Sequence, residues 1–307
     1  MDKKKILIIG GSGFIGSHLV KRALSLEWSV VSLGLSYNKP NYHEGEYDHF
    51  CVNLNDYKAL RQVIDGKSFD YVINCGGYID HRDFGNGGEE IFSTHFNGLL
   101  NLISILDKAK IIKFINIGSS DEYGSSPAPQ REDSREQPIS PYSLAKVSSS
   151  HLLKMLNLSE DFPATTIRLF LVYGPQQGKK RFIPSIIDGC LKNEIFPCSL
   201  GNQLRDFCFI DDIVNGVFSA LSNSKTDGEV LNLASGNAVK IRDVVERVQS
   251  IIGNGRPQFG KIPFRAGEAK ELYANINKAK TMLDWEPKIS LEEGLQKTID
   301  WYRIDDG

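Results

Sequence analysis

The sequence predicts an α/β fold, in which a doubly wound parallel sheet is followed by a smaller C-terminal α+β domain. Short apolar runs of strand length alternate with amphipathic helical stretches through the first half of the chain, as in parallel sheets covered by helices on both faces. A glycine-rich turn joins the first strand to the first helix. After the segment Tyr173-Gly174-Pro175 the alternation loosens, which predicts a second, smaller unit.

Bulk composition narrows the class of protein. The 307 residues carry a net charge of -2, so neither nucleic acid nor an anionic membrane is expected as a partner. The five cysteines are dispersed and form no C-x-x-C pair, which favours free thiols in a reducing compartment over disulfides or a metal site. No apolar run reaches the length of a signal-peptide core or a membrane span. We therefore expect a cytoplasmic protein that holds no metal.

The first strand, residues 6–9, leads into a G-x-x-G-x-x-G turn and then into a helix at residues 17–26. Glycine permits a tight turn from strand to helix and lets a pyrophosphate approach the backbone, while the helix N-terminus offers free N–H groups. This context predicts a dinucleotide-binding site, because an isolated glycine pattern would be weak evidence. The residues assigned to the cofactor here are Gly10, Ser12, Gly13, Phe14, Ile15 and Gly16.

The end of the second strand, residues 29–33, bears on the choice of cofactor. In NAD-specific folds an acidic residue about twenty positions after the glycines binds the ribose diol. That position lies near Gly34, and no acidic residue occurs from 28 to 43. Ser36, Asn38 and Lys39 follow instead, and all three can contact a phosphate. The sequence therefore favours NADPH, with NADH as the other possibility.

The next two strands bring further residues to the predicted cofactor. Asn53, which is placed to reach the adenine, and Leu54 follow the third strand and are assigned to the cofactor. Gly76 and Gly77 end the fourth strand, where the backbone must pass close to the cofactor. His81 lies in the polar loop that follows, and we interpret it as a solvated loop histidine rather than a substrate contact. The elements predicted for this part of the chain are helices at 57–64 and 89–108 and strands at 71–75 and 111–117.

A Tyr-x-x-x-Lys spacing, at Tyr142 and Lys146, opens the helix predicted at residues 142–158. Residues four apart lie on one helical face, so the Lys146 cation is expected to lower the pKa of the Tyr142 phenol and make it a usable proton carrier. The spacing alone is common by chance. Ser119, at the carboxyl end of the fifth strand, adds a hydroxyl where ligands bind in doubly wound sheets.

The remaining sequence completes the sheet and forms the smaller domain. We predict a domain of residues 1–173 with about 208–236 for the cofactor, and a lobe of residues 174–207 and 237–307. The predicted elements are strands at 165–171 and 230–234, helices at 183–191, 240–253 and 290–303, and a hairpin-like piece that ends in Arg205-Asp206-Phe207.

These motifs together resemble the extended short-chain dehydrogenase/reductase family, specifically its nucleotide-sugar epimerases, dehydratases and reductases. The resemblance implies a Rossmann domain, a small nucleotide-sugar domain and a homodimer formed through the helices near Asn97 and Tyr142. The motifs that carry it are Gly10/Gly13/Gly16, Ser119 with Tyr123-Gly124, Tyr142/Lys146, Arg168-Leu169-Phe170, Tyr173-Gly174-Pro175, Arg205-Asp206-Phe207 and Arg265-x-Gly267-Glu268.

The family also implies roles for individual residues. Ser119 would polarise the sugar carbonyl or hydroxyl, Tyr142 would exchange the proton, and Lys146 would bind the nicotinamide ribose. Arg205 and Arg265 resemble the family's diphosphate-binding arginines, a role that fits bidentate phosphate recognition. The residues assigned to a nucleoside-diphosphate sugar are Ser119, Ser120, Asp121, Tyr142, Arg181, Arg205, Arg265 and Glu268.

The residues beside Ser119 bear on the reaction. In the 4,6-dehydratases the catalytic Thr is followed by Asp-Glu, whereas Ser120 and Asp121 stand here; Asp121 also replaces the Cys of fucose-synthase-type epimerases. The sequence Gly-Ser-Ser-Asp-Glu-Tyr-Gly at residues 118–124 is most similar to that of GDP-4-keto-6-deoxymannose reductases and CDP-abequose or paratose synthases. Leu171 stands where many epimerases have an Asn. The sequence thus favours NADPH-dependent reduction of a 4-keto-6-deoxy sugar nucleotide for surface polysaccharide. The alternatives are an NAD-dependent 4-epimerase, then a 4,6-dehydratase, and least a non-catalytic cofactor sensor.

Overall fold

The computed structural model describes residues 3–36, 45–264 and 269–305. A seven-stranded parallel sheet dominates these parts of the chain, in the order β11-β6-β5-β4-β1-β2-β3. Its strands are β1 (Lys5–Ile9), β2 (Ser29–Gly34), β3 (Tyr47–Cys51), β4 (Tyr71–Asn74), β5 (Lys113–Ser119), β6 (Ala164–Leu169) and β11 (Val230–Leu233). The strand order reverses between β1 and β4, which creates a crevice at the carboxyl ends of these strands. The doubly wound α/β fold predicted from the sequence is confirmed.

Helices cover both faces of this sheet because its strands are apolar on both faces. Alternate residues of a strand point to opposite sides, so Ile6 and Ile8 belong to one buried cluster, while Leu7 and Ile9 belong to the other. The helices are α1 (Phe14–Ser25), α2 (Tyr57–Ile64), α3 (Gly88–Phe92), α4 (Gly98–Ile105), α5 (Pro141–Glu160), α6 (Phe182–Leu191), α7 (Ile210–Leu221), α8 (Ile241–Ile252), α9 (Asn277–Leu283) and α10 (Leu291–Asp305).

Short strands outside the large sheet build the C-terminal part of the described chain. They are β7 (Leu171–Tyr173), β8 (Ile195–Pro197), β9 (Leu204–Arg205), β10 (Phe207–Phe209), β12 (Val239–Lys240), β13 (Arg256–Gln258) and β14 (Glu271–Leu272). Strand β9 lies between β12 and β14, β8 pairs with β13, and β7 pairs with β10. The buried Asp206 carboxylate holds this region together, because it accepts hydrogen bonds from the backbone N–H groups of Ser235, Gly236 and Ala274.

Three sequence predictions about these elements were wrong. The helix predicted at residues 89–108 is divided into α3 and α4 by a π-helical segment, Ser93–Asn97, which apolar periodicity does not reveal. The strand predicted at residues 165–171 ends at Leu169, and the chain then pairs with β10 as β7. The hairpin expected before Phe207 does not form, since β8 and β9 pair with strands more distant in the sequence.

Two further features of the described residues concern partners. No helix among them is long and apolar enough to cross a membrane. Within the same residues no cluster of three His, Cys, Asp or Glu side chains is arranged to hold a metal ion, and all five cysteines are free thiols.

Candidate active site

The turn between β1 and α1 is a cradle made of backbone. Gly10 has φ +79°, a conformation that favours glycine, and a Cβ on Gly16 would lie 2.0 Å from the Gly10 carbonyl oxygen. A Cβ on Gly13 would lie 3.2 Å from the same oxygen. Helix α1 begins at Phe14, so its free N–H groups face this space. The absence of side chains here fits the close approach of a dinucleotide pyrophosphate.

The end of β4 forms the second part of the cradle. A Cβ on Gly76 would lie 2.6 Å from Ile9 Cγ2, and one on Gly77, at φ +115°, would lie 2.1 Å from the His95 ring. The Cys75 thiol donates a hydrogen bond to the Ile9 carbonyl oxygen at 2.8 Å, which ties this turn to β1. Both glycines predicted for the cofactor are therefore required by close packing at the crevice.

Residues beyond β2 and β3 flank the cradle. A Cβ on Gly34 would lie 2.4 Å from Ser12 Oγ, so the two predicted positions are in contact. The Ser36 carbonyl accepts a hydrogen bond from His49 Nε2 at 2.8 Å, while Asn53 Oδ1 accepts one from the Asn55 N–H at 3.0 Å. Asn38 and Lys39, the other two residues predicted to contact a phosphate, lie outside the described residues, and Leu54 lies against Gly98.

Ser119 and Tyr142 meet at the carboxyl end of β5. Both are buried, and the Ser119 hydroxyl lies close enough to the Tyr142 phenol to lower its pKa, against the larger effect of burial. Helix α5 begins here because Pro141 opens its first turn and Ser140 Oγ accepts a hydrogen bond from the Ser143 N–H at 3.1 Å. The start of the helix therefore fixes where the phenol stands relative to β5.

Lys146 lies one turn further along α5, as the sequence predicts. Its Nζ donates a hydrogen bond to the Ile117 carbonyl oxygen at 2.7 Å and lies 5.8 Å from the centre of the Tyr142 ring. Burial lowers the pKa of Lys146 to about 8. Burial also raises the pKa of Tyr142, and the Asp121 carboxylate raises it further, so the expected lowering of the Tyr142 pKa by Lys146 is not found. Desolvation outweighs the neighbouring cation in this geometry.

Two histidines that the sequence did not place in the site pack against Tyr142. The His81 ring centre lies 5.8 Å from that of Tyr142 and the His95 ring centre 5.0 Å from it, both edge-on. His81 is an exposed loop residue, as the sequence suggested, but its Nε2 also lies 2.6 Å from Asp121 Oδ2, a contact that the sequence did not predict. The available signal was position, because His81 and Asp121 follow the adjacent parallel strands β4 and β5.

His95, from the π-helical segment, is the second of these histidines. It is buried, and its Nε2 donates a hydrogen bond to the Tyr78 carbonyl oxygen at 2.9 Å. Burial, followed by the Lys146 charge, lowers the pKa of His95 to about 3. It is therefore a neutral ring that packs between Gly77 and Tyr142.

A buried ion-pair network lies beneath Ser119. Glu122 accepts hydrogen bonds from the Ser119 N–H and from Ser150 Oγ, both at 2.9 Å, and pairs with Arg168 Nε at 2.9 Å. Glu122 and Arg168 are fully buried, and Arg168 also pairs with Glu136 at 2.7 Å. The sequence assigned Glu122 no role, because its hold on the Ser119 backbone is formed only in the fold.

The predicted substrate residues are only partly brought together. Arg181, at the start of α6, is exposed, and its charge acts on Tyr142, so it faces the same space. Arg205 is buried, and one of its guanidinium nitrogens donates to the Leu204 carbonyl oxygen at 2.8 Å. Ser120 is buried beside Ser119. Arg265 and Glu268 lie outside the described residues.

A glycine cradle at the switch point of a doubly wound sheet, next to a Ser, Tyr and Lys set, defines a nicotinamide-dependent short-chain dehydrogenase/reductase. The chain belongs to the NAD dependent epimerase/dehydratase family, which matches residues 6–234. This confirms the predicted extended short-chain dehydrogenase/reductase type, whose members act on nucleotide sugars. The prediction of a nicotinamide cofactor is supported at the level of NAD or NADP.

Individual relatives agree with this family over their whole length. A UDP-glucuronate 4-epimerase of Thermodesulfobacterium geofontis is 28% identical, with 96% of this chain and 95% of the relative covered. A dTDP-glucose 4,6-dehydratase of Xanthomonas campestris is 27% identical, covering 96% and 92%. The solved UDP-glucuronic acid 4-epimerase from Bacillus cereus, in complex with UDP-glucuronic acid and NAD, has a TM-score of 0.86 at 27% identity and covers 98% and 99%.

Proposed function

We propose that this protein is an NAD-dependent 4-epimerase of a nucleoside-diphosphate sugar, the function predicted from the sequence as the alternative to 4-keto reduction. The observation that carries the proposal is the buried Ser119 hydroxyl beside the Tyr142 phenol, next to the glycine cradle. Together the two groups can bind one sugar oxygen and carry its proton. The epimerases among the relatives support it as well. The sequence alone had favoured reduction because of Ser120 and Asp121.

In the proposed reaction Tyr142 takes the proton of the C4 hydroxyl while Ser119 holds the same oxygen. A nicotinamide dinucleotide held by the glycine cradle at Gly10, Gly13 and Gly16 would supply reversible hydride transfer at C4, with the hydride returned to the opposite face of the sugar carbon. Tyr142 then returns the proton to the C4 oxygen. Lys146, with its pKa lowered to about 8 by burial, binds the nicotinamide ribose and supplies positive charge to the phenolate. His95 packs against the phenol and keeps water from that side.

For the substrate we propose that Arg181 and Arg205 bind the diphosphate. The Arg181 charge acts on Tyr142, and Arg205 belongs to β9, the central strand of the small sheet β12-β9-β14. Guanidinium groups bind phosphate oxygens in pairs, which suits this role. We further propose the division predicted from the sequence, with residues 1–173 and about 208–236 for the cofactor and 174–207 and 237–307 for the sugar nucleotide.

A second candidate, NADPH-dependent reduction of a 4-keto-6-deoxy sugar nucleotide, is favoured by one observation. The described residues that follow β2, namely Leu35 and Ser36, offer no carboxylate to bind a ribose diol. An Asp or Glu there would repel the 2′-phosphate of NADPH, and none stands there. This candidate predicts a net consumption of NADPH, whereas epimerisation returns the cofactor to its starting state.

One experiment separates the two candidates. Purified protein is incubated with NAD and either UDP-glucose or UDP-glucuronic acid, and the sugar is followed by NMR. Epimerisation should yield the C4 epimer without a net change in nicotinamide absorbance. In parallel, NADPH is offered with the CDP, GDP and dTDP forms of 4-keto-6-deoxyglucose. Net NADPH oxidation there, together with no epimer from either UDP sugar, would reject the first candidate.

We also propose a homodimer formed by the surface of α5 and the segment around Asn97, which pack side by side. Leu144, Met155 and Leu158 form an exposed apolar stripe at helical spacing along α5, which is the pattern of a helix face that packs against a second copy. The sedimentation velocity of the wild-type protein should correspond to a dimer and that of Leu158→Lys to a monomer. A monomeric wild-type protein would reject the proposal.

A further inference from the structure

The pair formed by His81 and Asp121 has no part in the proposed chemistry at C4. Its two partners come from different loops, the one after β4 and the one after β5, yet His81 Nε2 and Asp121 Oδ2 lie 2.6 Å apart. His81 also packs edge-on against Tyr142, with a ring-centre distance of 5.8 Å. The pair therefore contacts Tyr142, the residue that is proposed to contact the C4 oxygen.

The position of this pair differs from that of ordinary surface ion pairs. The Asp121 N–H donates a hydrogen bond to Ser119 Oγ at 3.1 Å, so its backbone is fixed to the residue that holds the C4 oxygen. The side chains of His81 and Asp121 are 40% and 29% exposed, which means that a ligand in the crevice can reach them. Surface pairs contribute little to stability, whereas a carboxylate that orients an imidazole is the arrangement that enzymes use for proton transfer.

We propose that His81, oriented by Asp121, is a second proton-transfer group that exchanges the C–H proton next to the C4 ketone of the sugar. Asp121 accepts the hydrogen bond from Nε2, which leaves Nδ1 of His81 for the substrate. This inference rests on the proposed function, because oxidation at C4 provides the ketone. It gives the site a capacity for chemistry at C3 or C5, although Asp121 stands where fucose-synthase-type epimerases have a Cys.

The step balances without any further reactant. Nδ1 of His81 takes the proton from C3 or C5, the electrons of the broken C–H bond form a C=C bond, and the ketone oxygen becomes an enolate oxygen. Ser119 and Tyr142 hydrogen-bond that oxygen. Return of the proton from His81 to the face that it left restores the ketone with the original configuration at that carbon. In heavy water the returning particle is a deuteron.

The test supplies the ketone directly, so it does not depend on hydride transfer. The purified enzyme is incubated in heavy water with dTDP-, UDP-, GDP- and CDP-4-keto-6-deoxyglucose, and deuterium at C3 and C5 is measured by NMR. We expect incorporation well above the rate in buffer with at least one of the four. His81→Gln should lower the rate about 100-fold, and Asp121→Asn should lower it less, because the imidazole remains.

A matched control is Arg82→Gln, which removes the neighbouring Arg82–Asp80 pair of the same loop and leaves His81 and Asp121 in place. It should exchange deuterium as the wild type does. Exchange no faster than in buffer with all four sugars would overturn the proposal, as would undiminished exchange by His81→Gln. The C4 epimerisation assay with UDP-glucose and UDP-glucuronic acid is measured separately. If the proposed function fails, no C4 epimer forms in that assay, whereas deuterium exchange with the 4-keto sugars still tests the role of His81.

Discussion

The proposed cofactor side and the proposed substrate side of the site differ in construction, since the first is mainly backbone and the second mainly side chains. The cofactor side, defined by Gly10, Gly16 and Gly77, consists of backbone that has been stripped of side chains where a Cβ would lie 2.0 to 2.8 Å from a neighbour. The substrate side, centred on Tyr142, consists of polar side chains that come from several distant segments. A glycine packed against backbone tolerates almost no added side chain, whereas a polar side chain can be replaced by one of similar shape and different charge. Substitutions on the first side should therefore disturb packing, and those on the second should disturb chemistry or charge pairing.

The largest effect is expected on the substrate side, from Tyr142→Phe. Losing the proton carrier should lower turnover between about 10³ and 10⁴-fold, about 4 to 5.5 kcal/mol in barrier. Binding of the nicotinamide cofactor should persist, because the cofactor side is unchanged. Steady-state rates and a fluorescence titration of the cofactor measure the two.

The matched control for this variant is Tyr173→Phe. Tyr173 is also a buried phenol, and it donates a hydrogen bond to the carbonyl oxygen of Leu291, the first residue of α10, at 3.3 Å. The control should keep wild-type turnover. Equal losses in both variants would mean that the Tyr142 effect is one of folding rather than proton transfer.

The next effect concerns the network beneath the substrate side. Arg168→Met leaves the fully buried Glu122 carboxylate without its cation, which should lower the free energy of unfolding by about 3 to 5 kcal/mol. Adding Glu122→Gln removes the unpaired charge and should recover part of the loss. Urea denaturation measures all three proteins. The exposed Arg131, which pairs with Asp133 at 2.9 Å, is the control, and Arg131→Met should change the unfolding midpoint little.

The same contrast explains how far the sequence could predict the site. Glycines in sequence order between a strand and a helix are local, so Gly10, Gly13 and Gly16 were predictable, and the Tyr142–Lys146 spacing is local as well. The contacts of His81 with Asp121, and of Glu122 with Arg168, join residues that are 40 and 46 positions apart. No local pattern encodes such pairs. These pairs can be found only once β4, β5 and β6 are known to be neighbours in the sheet, because that order brings the carboxyl ends of the strands together.

Besides these long-range contacts, the sequence did not reveal how strongly each site residue is desolvated. The spacing of Tyr142 and Lys146 gave the correct neighbours but the wrong direction for the Tyr142 pKa, because spacing reports a charge and not the loss of water around it. The π-helical segment escaped prediction for a related reason. Its wider turn keeps the apolar pattern of residues 89–105 nearly intact while it moves His95 into the core.

On the cofactor side, Gly16→Ala should lower the free energy of unfolding by about 3 kcal/mol and weaken nicotinamide binding, because the new methyl group would lie 2.0 Å from the Gly10 carbonyl oxygen. The control is Gly85→Ala, where a Cβ would meet nothing within 4 Å. Chemical denaturation and a cofactor titration measure both variants. Wild-type affinity in Gly16→Ala would contradict the view that backbone fit builds this side.

The smallest effect should come from His95, which lies between the two sides and packs on both Gly77 and Tyr142. Burial lowers its pKa to about 3, while an unfolded histidine titrates near 6.5, so between these values the unfolded chain binds more protons and stability falls as the pH falls. By pH 5 this amounts to about 2 kcal/mol. His95→Gln keeps a donor for the Tyr78 carbonyl and does not titrate. Between pH 8 and pH 5 the free energy of unfolding should therefore fall by about 2 kcal/mol less in this variant than in the wild type. Urea unfolding at both values gives the comparison, and the difference at pH 8, where both side chains are neutral, isolates packing. Parallel acid sensitivity in the two proteins would show that His95 does not remain neutral at the boundary between cofactor and substrate.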